Sequence, residues 1–170
     1  MNFNEIKQFP RCDNQYSVFW SDIQSMLHSI NADIDPVFQR AHVWTEDQQS
    51  KYIEYRLKGG TSGKDIYFNC KGFDQGSDNI AVLVDGKQRL NALILFMDNK
   101  IKAFDTLFKD FDGAIRMRSG LTFHINTLET DEEVYEWYLG LNGGGTGHTK
   151  EDLQKVRDLM LQKEVALDMD

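Results

Sequence analysis

The chain has 170 residues, of which 41% are hydrophobic and 27% charged, enough for one domain with a real buried core. Its 27 acidic and 19 basic side chains leave a net charge of −8, which argues against a broad non-specific nucleic-acid surface but leaves room for a local basic groove. No run approaches the roughly 20 apolar residues of a membrane span, and the first ten residues lack a basic-then-apolar leader, so a soluble cytoplasmic protein with no membrane partner is expected. Cys12 and Cys70 form no CxxC pair and read as free thiols, while His28, His42, His124 and His148 do not fall at zinc-ligand spacing.

In chain order, Met1–Asn14 reads as a loosely ordered lead-in with room for one short strand. Val18, Phe19, Ile23, Met26, Leu27 and Ile30 follow near-helical spacing, which predicts an amphipathic helix over Tyr16–Ile30 ending at Asn31. Pro36 excludes a helix interior, so Gln39 and Arg40 belong to an irregular segment. Thr45, with Gln48 at the capping-box position, starts a helix that Lys58-Gly59-Gly60 stops after Leu57. Asp65–Asn69 and Ile80–Val84 read as two strands, with an antiparallel hairpin as one pairing.

The stretch Ile80–Met97 organises the rest. An apolar strand breaks at Asp85-Gly86 and feeds a strongly apolar helix over Gln88–Met97. Such a turn leaves an acid, a glycine and several donors beside a helix N-terminus, which suits an anion such as phosphate. Asp85 as a helix cap and Arg89 as a structural ion-pair partner are the alternative reading.

Further on, one or two strands are expected within Ile101–Phe111 and another at Leu121–Ile125. A helix with a Thr130/Glu133 capping box is expected over Thr130–Leu141. Asn142–Thr149, with four glycines, reads either as an anion-binding backbone nest or as a linker, and Thr149 caps a final helix to about Leu167.

Three separated pieces, Phe38–Trp44 (FQRAHVW), Val84–Leu90 (VDGKQRL) and Leu141–Leu153 (LNGGGTGHTKEDL), together resemble the domain of unknown function 262 family, whose hallmark is a DGQQR motif. That family supplies the nucleotide-hydrolysing N-terminal half of GmrSD-type modification-dependent restriction enzymes and occurs in phosphorothioate-sensing defence proteins. The resemblance spans about Ile30 to Leu153. It implies an α+β fold of the ParB/sulfiredoxin kind, a small mixed sheet with flanking helices, as a single domain over residues 1–170 with a C-terminal helix at 149–170.

The resemblance also implies the site. Asp85, Gln88, Arg89, Gln39 and Arg40 match the family's catalytic positions. Gly86, Lys87, Trp44, Asn142, Gly144 and Thr146 fall at its nucleotide-binding motifs. Lys87 stands where the family usually has glutamine. Arg40, Lys87 and Arg89 can then face a triphosphate, Asp85 can hold Mg²⁺, and Gln39 and Gln88 can position water. Trp44 can stack on a base or lie beneath the site. His124 and His148 read as structural or surface residues. The implied cofactors are a nucleoside triphosphate and Mg²⁺, and the implied activity is NTP hydrolysis linked to DNA nicking, restriction or phage–host defence.

The full restriction enzymes continue into an HNH-type nuclease domain. No such constellation appears before Asp170, so a stand-alone short form of the kind carried by phages is expected. Partners are then a nucleotide, DNA through a local basic pocket, or a host or cognate nuclease subunit. The competing reading is a non-catalytic phage-type binding module or inhibitor of a host nuclease or defence complex. A third treats the motif residues as an architectural network. If the first reading holds, Gln39-Arg40 and Asp85–Arg89 lie within the span of a triphosphate, about 11 Å or two helical turns.

Overall fold

A computed structural model describes residues 12, 14–39, 43–112, 120–143, 151, 154–156 and 158–159. The elements in order are β1 (Asn14–Val18), α1 (Ile23–Ser29), β2 (Ala32–Asp33), α2 (Glu46–Leu57), β3 (Asp65–Asn69), β4 (Ala81–Asp85), α3 (Lys87–Met97), β5 (Leu121–Asn126) and α4 (Asp131–Gly143). The strands form one mixed sheet in the order β1-β5-β3-β4-β2. β3 runs antiparallel to β4 and parallel to β5, β1 is antiparallel to β5, and the short β2 is parallel to β4. The class is α+β.

Strand alternation assigns the two faces of the sheet. Ile66, Phe68, Ala81, Leu83, Leu121, Phe123 and Ile125 point to one side, where Ile23 of α1, Ile53 of α2 and Leu90, Leu93 and Phe96 of α3 complete a core. Tyr67, Val82 and Val84 point to the other side and meet Val134, Trp137 and Tyr138 of α4, together with Phe38 and Val156. The sheet is therefore covered on both faces.

Local signals explain the helix ends. Thr45 Oγ1 accepts from the Gln48 amide at 3.3 Å, and Gln48 Oε1 accepts from the Thr45 amide at 2.9 Å, closing the capping box of α2. Thr45→Ala is expected to cost about 1 kcal/mol. Urea unfolding reads this as a lower midpoint at unchanged slope. Thr130 and Glu133 make the equivalent box at the start of α4.

Three expectations are corrected. Tyr16–Ile30 is not one helix: Asn14–Val18 pairs residue for residue with Ile125–Leu121, a 3-10 turn follows at Trp20–Asp22, and α1 begins only at Ile23. The ladder to β5 satisfies backbone groups that a helix would also have satisfied, and tertiary context decides between them. Ile101–Phe111 is not a strand pair either. Ala103 and Thr106 form an isolated bridge around Phe104 and Asp105, both at positive φ, and a 3-10 turn spans Phe108–Asp110. Phe108 and Phe111 pack edge-on against Phe96, so these aromatics cover α3 instead of alternating across a sheet. Asn142 and Gly143, read as irregular, extend α4. Much of the expected final helix lies outside the described residues; Glu151, 154–156 and 158–159 are helical.

Candidate functional site

The site is built on the turn from β4 to α3. A bulge shifts the β3–β4 register, so that Tyr67 faces Asp85 while Phe68 faces Leu83, leaving Val84 as the extra residue. β2 pairs only with Ala81 and Val82, so among the described residues no strand pairs with the outer edge of β4 beyond them. Successive carbonyls in a regular strand point to opposite edges; the bulge brings two to one side. Gln39 uses this: its Nε2 donates to Leu83 O at 3.0 Å and Val84 O at 2.6 Å. Phe38, 5% exposed, anchors the same segment through edge-on contacts with Tyr135 and Tyr138 at 5.3 and 5.4 Å.

Gly86 turns the chain at φ +107°, and a Cβ there would lie 2.5 Å from Ile66 Cδ1. It leads into α3, whose first turn has no side-chain cap; the Leu90 amide donates to Gly86 O at 2.9 Å. The first-turn amides and the positive end of the helix dipole therefore face the turn.

Four motif side chains radiate from it. Arg89 Nη2 donates to Asp85 Oδ2 at 2.5 Å, and the pair is 21% and 31% exposed. Gln88 Oε1 accepts from the Val43 and Trp44 amides, both at 3.1 Å. Lys87 pairs with Asp35, a residue outside the motifs, and its own side chain is only 11% exposed. Trp44 is half-buried and meets Tyr52 edge-on at 5.5 Å. Gln88→Ala is expected to orphan two backbone donors at a cost of about 1–3 kcal/mol. Gln88→Glu keeps the acceptor and should retain most of that stability in the same urea titration.

The structure thus joins Gln39 to Leu83 and Val84, just ahead of Asp85, and Val43 and Trp44 to Gln88, by direct hydrogen bonds across 44 or 45 residues of sequence. Arg40, Gly144 and Thr146 lie outside the described residues, as do His148 and Thr149. Asn142 donates to Tyr138 O within α4 at 2.8 Å, and Tyr138 in turn packs on Phe38 beside Gln39.

Tyr67 and Tyr52 are not among the site residues expected from the sequence, where His124 reads only as a structural or surface residue. Tyr67, opposite Asp85, stacks on His124 at 4.6 Å, and His124 Nε2 lies 2.8 Å from Asp65 Oδ1. Burial first, and then the Asp65 and Asp85 carboxylates, push the Tyr67 phenol up, with Arg89 opposing. On the other side, Tyr52 donates to Gly63 O at 2.7 Å. Burial pushes its phenol up too, offset by Arg56 and Arg89. The alternation of DIYFN and LTFHIN could have placed Tyr67 and His124 on one face, but only the strand order places Asp85 in the same row.

Among the described residues, no group of three or more His, Cys, Asp or Glu is arranged to hold a metal ion. One carboxylate beside a helix N-terminus suits Mg²⁺ that brings phosphate oxygens with it, since Mg²⁺ commonly takes one or two carboxylates and keeps water and phosphate as its other ligands. No described helix is long and apolar enough to cross a membrane.

No curated protein and no solved structure matches the chain. The family model described as GmrSD restriction endonuclease, N-terminal domain, matches residues 23–122, which include Gln39, Trp44 and the whole β4–α3 turn and stop before Leu141–Leu153. With more than half of its length matched, the chain belongs to the GmrSD restriction endonuclease N-terminal domain family.

Proposed function

We propose that the β4–α3 turn binds a nucleoside triphosphate with Mg²⁺ and hydrolyses it, and that this turnover serves DNA restriction or phage–host defence. The observation that carries the reading is the meeting of two distant motifs at an uncapped helix N-terminus, beside a part-buried Asp85–Arg89 pair. The family name supplies the restriction context, and the DGKQR sequence fits a DGQQR-type site with one substitution.

In this reading water attacks a phosphoryl group, and the phosphoanhydride bond to the leaving phosphate breaks. Phosphoryl transfer asks mostly for positioning and charge stabilisation. Arg89 stabilises the charge that develops on the phosphoryl oxygens, as would Arg40 beside Gln39. Asp85 orients Arg89 and provides the carboxylate for Mg²⁺, whose part is to neutralise phosphate charge. Gln39 and Gln88 act as positioning residues, because each ties one motif to the backbone of the other. Trp44 walls the site, and the family resemblance assigns Asn142, Gly144 and Thr146 to the nucleotide as well.

The experiment is a panel of NTPs with Mg²⁺, read as saturable binding and phosphate release. Both are expected; a folded protein that binds no NTP overturns the reading. A second reading, a binding module without turnover that engages a nuclease or defence complex, is favoured by two observations. Lys87 is drawn to Asp35, and Val37 and Val43, which flank Gln39, are 70% and 54% exposed. Binding without phosphate release would select it.

A further inference from the structure

Tyr67 sits where the β3–β4 register shifts, facing Asp85 across the bulge. It is half-buried, yet among the described residues its hydroxyl makes no hydrogen bond and stays open to solvent. A tyrosine hydroxyl in such a setting usually finds a partner. Tyr52 gives the contrast. It borders Gly63 together with Arg89, at 3.4 and 3.5 Å from where a Gly63 Cβ would stand, and its hydroxyl is tied to Gly63 O at 2.7 Å.

The open hydroxyl belongs to a ring that is held in place. The Tyr67 ring stacks on His124 with centroids 4.6 Å apart and planes at 15°, and it meets Trp137 edge-on at 6.1 Å. His124 is fixed in turn by Asp65 at 2.8 Å. Asp65 and Asp85 are the carboxylates that act on the phenol, and each already has a partner: Asp65 meets His124, and Asp85 meets Arg89. Burial first, and then these two acids, push the phenol up, so it keeps its proton at neutral pH and donates. A clamped donor beside a cation is preorganised for an incoming anionic oxygen, because nothing has to reorient when the ligand arrives.

We propose that the Tyr67 hydroxyl is a substrate contact of the β4–α3 site, donating to a phosphate oxygen beside Arg89. The proposal rests on the nucleotide reading of that turn and deepens it: a neutral donor from β3 joins a cation from α3 on the polyphosphate chain. Phosphate fits better than a base, because His124 already covers one face of the ring and Trp137 crowds it edge-on.

The test compares Tyr67→Phe with the wild type in Mg²⁺, reading NTP affinity by equilibrium binding and phosphate release at limiting NTP. Phe keeps the ring and its stack, so the variant should melt like the wild type. Loss of a donor to a charged oxygen should lower NTP affinity, and with it phosphate release, by about tenfold or more. Affinity for inorganic tripolyphosphate should fall by the same factor. Tyr16→Phe removes a hydroxyl from β1, on a strand that does not touch β4, and should change neither. Where the wild type binds without turnover, affinity alone decides. A wild type that binds NTP, with a Tyr67→Phe variant equal to it on both ligands, overturns the proposal and leaves the nucleotide reading standing. Weaker NTP binding with unchanged tripolyphosphate binding overturns the phosphate assignment. A folded wild type that binds neither ligand overturns the proposal and the reading together.

Discussion

Arg89→Gln is expected to lower phosphate release by about 10²–10³-fold, equivalent to roughly 2.7–4 kcal/mol of barrier, the scale of losing one preorganised charge stabiliser. Asp85→Asn should fall by a similar amount, because it removes both the carboxylate proposed for Mg²⁺ and the partner that orients Arg89. The pair is only part-buried, so each single variant also leaves one charge unmatched, and some stability will be lost for that reason alone. The double variant Asp85→Asn/Arg89→Gln separates the two effects. Neutral amides at both positions relieve the unmatched charge and should recover most of the melting temperature. If Asp85 and Arg89 act on phosphate, turnover stays at the level of the worse single variant. Recovery of turnover with stability would assign the pair a purely architectural task and sink the catalytic assignment.

Gly86→Ala is expected to destabilise the fold by about 2–5 kcal/mol, a large share of the 5–15 kcal/mol that holds a typical domain together. Two costs combine. At φ +107° an L-residue is strained by about 1–2 kcal/mol. The new Cβ would also press on Ile66, at 2.5 Å from Cδ1 and 3.3 Å from the backbone Cα. Ile66 is fully buried, so its side chain has nowhere open to swing, and overpacking adds about 1–3 kcal/mol. Gly76→Ala is the control. Its φ is +70° but nothing lies within 4 Å of its Cβ, so it should show the backbone cost alone. Urea titration of both variants decides: equal losses would mean that the contact with Ile66 is not what fixes glycine at the turn.

Much of the fold was legible because its signals are local. The capping boxes at Thr45 and Thr130, the Lys58-Gly59-Gly60 stop and the apolar runs at Asp65–Asn69, Ile80–Val84 and Leu121–Ile125 each report on neighbours within a few residues, and α2, β3, β4, β5 and α4 lie there within a residue or two. Tyr16–Val18 misled because its apolar spacing suits a helix as well as an edge strand, and only the partner strand β5 decides between them.

The candidate site divides in the same way. By itself, the sequence determined that Asp85, Gly86 and Arg89 share one strand-to-helix turn, because a strand period, an Asp-Gly break and a helical run adjoin there. Tertiary structure alone decided that Gln39 grips the β4 carbonyls, that Gln88 holds Val43 and Trp44, that Lys87 pairs with Asp35, and that Tyr67 and His124 lie in a row with Asp85. Those contacts join residues 18–57 positions apart through a bulge, a strand edge that β2 leaves unpaired and a mixed strand order. Hydrophobic period and capping chemistry act over one or two turns of chain, so they carry no record of which strand will lie alongside which.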